Sequence, residues 1–392
     1  MRILLLGEYS NVHATLALGF RKLGHQVTVA SNGDFWKNYD RDIDLARSTA
    51  HFGGIRLIIK IIRKLNAFMG YDIVQLINPM FLELKAELLF FAYKFLRKHN
   101  KHVILGAFGM DYYWVESGTI HKPLRYSDFN IGNQNRTNKD AIKEQKDWVG
   151  TAKERLNKMI ASDCDAIVCG LYEYWIAYKD HYPQKVHFIP LPIIPDLSEG
   201  DTSSSNRQKS LESSPTKYES IKKTTFFIGI NKERNEYKGT DIMLQAALDA
   251  QAKMPDRIDL QIVESIPFKQ YRQLMISADA ILDQLYSYTP SMNSLEAMSH
   301  GIICIGGGEP ENYEILGDTE LKPIINVLPT YQSVFDKVIF LAQNRGLVER
   351  FKKESKEYIN LYHDYIKVAS KYLTIYNEIL CQDCAVKAHK KI

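Results

Sequence analysis

The sequence predicts an α/β protein built as two tandem, doubly wound domains. Three observations carry this. Short apolar runs recur along the chain, each followed by a stretch of helical spacing, the order produced by parallel strands joined through crossover helices. The first run, residues 2–6, stops at Gly7 and passes straight into such a stretch. A Ser-rich break at 198–222 then separates two series of the same kind.

In the first series, Leu16, Phe20 and Leu23 share one helical face, and Gly24 is the stop signal. Val- and Thr-containing residues 26–30 make the second strand. Helical patterns over 55–69 and 83–99 alternate with strands at 72–77 and 103–106. Residues 165–169 and 186–189 are further apolar runs, of the kind buried by helices on both sheet faces. Residues 112–147 are polar and aromatic with little period, and read as an insertion beside the end of the 103–106 strand. The second series has strands at 225–230, 260–263, 280–282 and 302–305, with helices at 239–253, 268–277 and 293–300. Two long helical patterns, 331–344 and 347–379, close the chain. The expected division is an N-terminal domain over 1–197, a linker over 198–222, a C-terminal domain over 223–355, and a closing helix with a basic tail over 356–392.

Composition narrows the classes. The 392 residues are 45% hydrophobic, 24% charged and 11% aromatic, which excludes wholesale disorder and a membrane-embedded bundle. A net charge of +4 gives no nucleic-acid signature. Cys381 and Cys384 form one CxxC, but zinc needs about four ligands and there is no second pair, so no metal is expected. The opening apolar run is too short for a signal peptide, and no stretch reaches the ~20 apolar residues that span a bilayer. A cytoplasmic protein is expected. The basic amphipathic stretches 55–64 and 90–101 are either crossover helices or a resting surface on anionic membrane.

In an open α/β sheet, ligands bind beyond the carboxyl ends of the strands, so each strand end is a candidate site. The first ends in Gly7 with Ser10, Asn11 and His13 after it, where they either cap the helix or face a ligand. This is not GxGxxG, which weighs against a nicotinamide enzyme. The 103–106 strand leads to Gly109-Met110-Asp111; a glycine permits close approach and Asp111 either accepts a hydroxyl or caps the next segment. In the second series, Gly229 is followed by Lys232, Arg234 and Lys238-Gly239, cations before a helix start that suit a pyrophosphate or form a solvated loop. Glu296, on a short helix, can accept the two hydroxyls of a ribose. Gly306-Gly307-Gly308 then opens main-chain amides to a ligand, ahead of Glu309-Pro310-Glu311.

Gly229 with Arg234 and Lys238-Gly239, then Glu296 to Cys304, then Gly306 to Glu311, preceded by Gly109-Met110-Asp111, resemble in order the motifs of the retaining GT-B glycosyltransferases of family 4. The resemblance implies a GT-B fold, two Rossmann-like domains facing a cleft, with no metal or other cofactor. The nucleotide-sugar donor is a substrate, and the other partner is a saccharide or lipid-linked acceptor in cell-surface polysaccharide or glycoconjugate synthesis. It implies that Arg234 or Lys232, with Lys238, holds the diphosphate, and that Glu296 holds the ribose. Gly307, Gly308 and Glu311 would face the donor sugar, and Asn11 and Gly109 the acceptor. Asp111 and His13 are the candidate bases, unless the leaving phosphate takes the proton. A second glutamate common in the family is Tyr288 here. A GT-B sugar-nucleotide epimerase and a non-catalytic nucleotide or glycan binder are the alternatives.

Overall fold

The computed structural model describes residues 1–49, 51–196, 222–231, 234–264 and 266–389. Nearly all of the expected 198–222 linker, together with Lys232, lies outside these.

The first sheet is parallel, in the order β3-β2-β1-β4-β5-β8-β9. Its strands are β1 (Arg2–Leu6), β2 (Gln26–Ser31), β3 (Ile43–Asp44), β4 (Ile73–Leu76), β5 (His102–Ala107), β8 (Ala166–Cys169) and β9 (Val186–Phe188). A small antiparallel hairpin, β6 (Asn130–Ile131) and β7 (Gln134–Asn135), stands apart. The second sheet is parallel, ordered β11-β10-β12-β13-β14. It comprises β10 (Thr224–Ile230), β11 (Ile258–Glu264), β12 (Ala280–Leu282), β13 (Ile303–Gly306) and β14 (Ile325–Asn326). Ile3, Leu4, Leu5 and Leu6 are all buried, because helices cover both faces and neither side of the strand meets water.

Two regions depart from the sequence reading. Residues 112–147 are not featureless: helix Tyr112–Glu116 runs into a π turn over Ser117–His121, followed by the hairpin and by helix Lys139–Trp148. Trp114, Tyr126, Phe129 and Trp148 bury their rings there, so aromatic packing replaces the periodic stripe that pattern reading seeks. The single helix expected over 347–379 is broken in two. Helix Val348–Tyr358 passes through a π turn, Ile359–His363, and a new helix, Tyr365–His389, starts after Asp364. Asp364 Oδ1 accepts from Ile366 N and Lys367 N, both at 3.0 Å, acting as an N-cap. The break lets the connector backbone pair there: Ile193 N donates to His363 O and Tyr365 N to Ile193 O.

The closing helix Tyr365–His389 lies on the first sheet's domain. Phe20 meets Tyr372 and Tyr376 with ring centroids 6.1 and 5.7 Å apart, and Tyr376 OH donates to buried Gln75. Gly19 makes that approach possible, since a Cβ there would stand 2.4 Å from Tyr365 O.

Candidate functional site in the interdomain cleft

The strand ends of the two sheets face a cavity of about 1010 Å³. One wall is Ser10, Asn11, Thr15, Trp36, Lys37 and Tyr39 from the first domain. The other includes Gly229, Lys238, Tyr271, Arg272, Asp283 and Glu296, with connector residues Ile193–Asp196 at the base. The structure therefore brings Asn11, Gly229, Lys238 and Glu296 together.

The N-terminal wall is a strained loop. Ser10 and Asn11 both take left-handed backbone angles, φ 51° and 69°, which side chains other than glycine rarely adopt. Asn11 makes no capping hydrogen bond. The cap is Glu8, whose buried carboxylate accepts from His13 N at 3.2 Å and Ala14 N at 2.8 Å. Burial pushes Glu8 up to about 8 despite these donors. Asn11 is thus held open to the cavity by a neighbour that does the capping.

On the opposite wall, Gly229 is the penultimate residue of β10 and lies against the Tyr271 ring, where a Cβ would stand 2.6 Å from Cε2. Tyr271 OH accepts from Asn293 Nδ2 at 3.0 Å. Asp283 organises the start of helix Met292–Ser299 by accepting from the Ser291 hydroxyl, Ser294 Oγ at 2.8 Å and Asn293 Nδ2 at 3.2 Å. That helix carries Glu296, whose carboxylate pairs with Arg272 of helix Phe268–Ile276. The ammonium of Lys238 has no hydrogen bond or ion pair among the described residues and faces the cavity.

The remaining candidates lie elsewhere. His13 is fully buried, with Nδ1 2.8 Å from Gly7 O; that contact makes Nδ1 the protonated nitrogen, and burial pulls its pKa down to about 3. Asp111 is also fully buried; it caps helix Tyr112–Glu116 by accepting from Trp114 N at 2.9 Å, and accepts from Tyr178 OH at 2.7 Å. Burial raises its pKa to about 6. Neither lines the cavity. Gly109 packs against the Tyr9 ring. The Arg234 guanidinium stacks over Tyr237 at 4.9 Å and does not line the cavity.

Gly307, Gly308 and Glu311 meet protein instead of open space. A Cβ on Gly307 would stand 2.4 Å from Ser287 O, and one on Gly308 would stand 2.7 Å from Ile324 Cγ2. The glycines are needed for backbone packing. Glu311 accepts from Arg125 Nη1 at 2.6 Å, and Glu309 accepts from Arg125 Nη2 at 2.7 Å and from Tyr126 OH. Arg125 N donates to Tyr288 OH at 2.7 Å. Glu173, buried in the first domain, reaches the same loop: Oε1 accepts from Tyr288 N at 2.6 Å and from Thr289 N and Ser287 Oγ at 3.0 Å. Arg136 bonds Tyr237 O at 3.1 Å and stacks 3.5 Å above Tyr286. The insertion therefore straps the loops around Tyr237, Tyr288 and Glu309–Glu311 of the second domain.

Sequence reading missed Arg272, Trp36, Lys37 and Tyr271. None stands at a strand end, and a cation on one helical face has no spacing that separates it from a solvated charge. Arg125 and Glu173 were equally silent, since their partners lie more than a hundred residues away.

No protein-family model matches the chain, and no curated protein matches it. Solved structures do match over nearly its whole length. It is similar to a sucrose-phosphate synthase from Thermosynechococcus elongatus, at TM-score 0.60 and 11% identity, covering 97% of this chain and 100% of that one. HepE from Anabaena, solved with UDP and glucose, matches at TM-score 0.57 and 10% identity, over 96% and 99% of the two chains. A UDP-GlcNAc 2-epimerase from Neisseria meningitidis, bound to UDP-GlcNAc, matches at TM-score 0.50 and 13% identity, over 96% and 100%. With its two parallel sheets and interdomain cavity, the chain has the GT-B fold.

Proposed function

We propose that the protein is a retaining glycosyltransferase that moves a sugar from a nucleotide-diphosphate sugar to a saccharide or lipid-linked acceptor. The observation that supports this reading most is the cavity at the strand ends, where an unpaired Lys238 stands with Arg272 and Glu296. Lys238 and Arg272 meet the diphosphate, and Glu296 exchanges its arginine for ribose hydroxyls. Asn11 faces the acceptor side. Fixed cations at a partly enclosed site stabilise the charge that grows on the leaving diphosphate, without needing a metal. The acceptor oxygen attacks the anomeric carbon on the leaving-group face while the bond to the diphosphate breaks. In this reading the departing phosphate oxygen takes the hydroxyl proton, since His13 and Asp111 are engaged in the interior.

An apolar groove of about 360 Å³ between helices Gly53–Arg63 and Ala86–His99 supports a lipid-linked acceptor and peripheral membrane contact. Phe91, in its lining, is 73% exposed, and Arg63, Lys64 and Lys94 lie on the same helices and their connection. No helix among the described residues is long and apolar enough to cross a membrane.

Calorimetric binding of UDP and of GDP to the protein and to Lys238→Ala tests the donor site. Binding of one nucleotide that weakens in a folded variant supports the reading, and transfer from the matching sugar nucleotides is then assayed. If neither nucleotide binds, the donor assignment fails. The epimerase among the structural relatives favours a second reading, which interconversion of UDP-GlcNAc without any acceptor would establish.

A further inference from the structure

Away from the cleft, three side chains of different elements converge on one point. Glu116 ends helix Tyr112–Glu116, His121 ends the π turn that follows, and His181 lies just beyond helix Tyr172–Lys179. Their ligand atoms all lie within 4.8 Å of one another. His181 Nε2 is 3.4 Å and His121 Nε2 is 4.0 Å from the same oxygen, Glu116 Oε2.

We propose that Glu116, His121 and His181 bind a divalent transition-metal ion of the zinc class. The donor set, two imidazoles and a carboxylate, is one that zinc takes, with a further position left for water. Bonds of about 2.0–2.1 Å at a tetrahedral centre put ligand atoms roughly 3.3 Å apart, which the Glu116–His181 spacing already meets. His121 is exposed and needs only a small inward turn.

The backbone is shaped for the convergence. In a regular α-helix, residues five apart point about 140° away from each other. The π turn, closed by Lys122 N donating to Ser117 O at 2.7 Å, is wound more widely and carries His121 round to the side of Glu116. The carboxylate is also prepared. Its Oε1 accepts from Tyr112 OH at 2.6 Å, while Oε2 is buried and has no hydrogen-bond donor. An outer hydrogen bond that fixes one oxygen and frees the other is the support a metal ligand requires. The Tyr113 ring packs 5.0 Å from the His181 ring and holds its orientation. Of the neighbouring cations, Lys122 bonds Asn133 O, while Lys158 pairs with Glu154 and stands 4.4 Å over the Tyr112 ring. The bound ion would clip the insertion to the end of helix Tyr172–Lys179, whose other end carries Glu173 into the second domain.

The test is titration of untagged protein with Zn²⁺ alone, by calorimetry and against a chromophoric chelator. Cys381→Ser with Cys384→Ser is the background, so that the terminal thiols take no part. One saturable site per chain is expected, with melting raised by zinc. His121→Ala and His181→Ala should each abolish that site and the melting shift while leaving the metal-free melting curve in place. Tyr112→Phe, which keeps all three ligands, should weaken zinc roughly 10- to 100-fold. A chain that takes up no zinc at several-fold excess, or that binds it equally after both histidine substitutions, overturns the proposal.

Discussion

At one end of the cleft, Lys238, Arg272 and Glu296 face an open cavity; at the other, Arg125, Tyr126 and Glu173 fill the space between the domains. Both ends derive from the same kind of sequence, a strand followed by a polar loop. They differ in what the first domain offers opposite. Opposite Lys238 stands a short strained loop that holds Asn11 outward. Opposite the glycine turn stands an insertion whose Arg125 and Tyr126 engage Glu309 and Glu311. The Lys238 ammonium has no hydrogen bond or ion pair among the described residues, and the Arg272–Glu296 pair is made within one domain, so the cavity stays open to a ligand. Charges paired from one domain to the other hold the domains together instead.

That contrast can be broken most severely at Glu173. Glu173→Ala would leave Tyr288 N, Thr289 N and the Thr289 hydroxyl without their acceptor in a buried interface. A loss on the order of 3 kcal/mol is expected in denaturant unfolding. An unchanged midpoint would show that the Glu173 contacts contribute nothing to stability.

Glu8 sharpens the description of the open end. Its folded pKa, about 8, lies above its ordinary 4.5, so its contribution is fully present below pH 4.5 and is lost as pH rises through 8. Wild-type stability should therefore fall across that window relative to Glu8→Gln, by up to about 1.4 kcal/mol per pH unit. Parallel stability–pH curves for the two proteins would rule this out.

At Lys238 the expected loss is binding, not stability. Lys238→Ala should weaken the nucleotide by about 1.5–3 kcal/mol, the worth of a charge-assisted contact, with melting unchanged. Equal calorimetric affinities would remove Lys238 from the donor site.

The smallest stability effect is expected at Arg125, whose side chain is half exposed and whose ion pairs are partly screened. Arg125→Ala should cost about 1 kcal/mol and, if the donor sugar reaches Glu311, raise the affinity for a nucleotide sugar relative to the bare nucleotide. If that ratio does not move, the strap does not gate the sugar.

Alternation of apolar runs and helical spacing was enough to place most of the strands of both sheets, because a strand buried on both faces has to be apolar throughout. That Gly229, Lys238 and Glu296 would line the cavity was legible for a related reason: chain direction in a parallel sheet decides which loops lie beyond the carboxyl ends of the strands. Sequence alone did not decide which polar groups reach water. His13 and Asp111 follow the ends of strands as expected and turn inward, His13 to Gly7 O and Asp111 to Trp114 and Tyr178. Gly307 and Gly308 looked like ligand space and are filled by Ser287 and Ile324. The helix break at Asp364 answers to Ile193, and Arg272 meets Glu296 only across space, from the middle of one helix to the middle of another. Local pattern is set by neighbours along the chain and can be read there. Pairing, burial and exposure are set by neighbours across space, and only the assembled tertiary structure decides them.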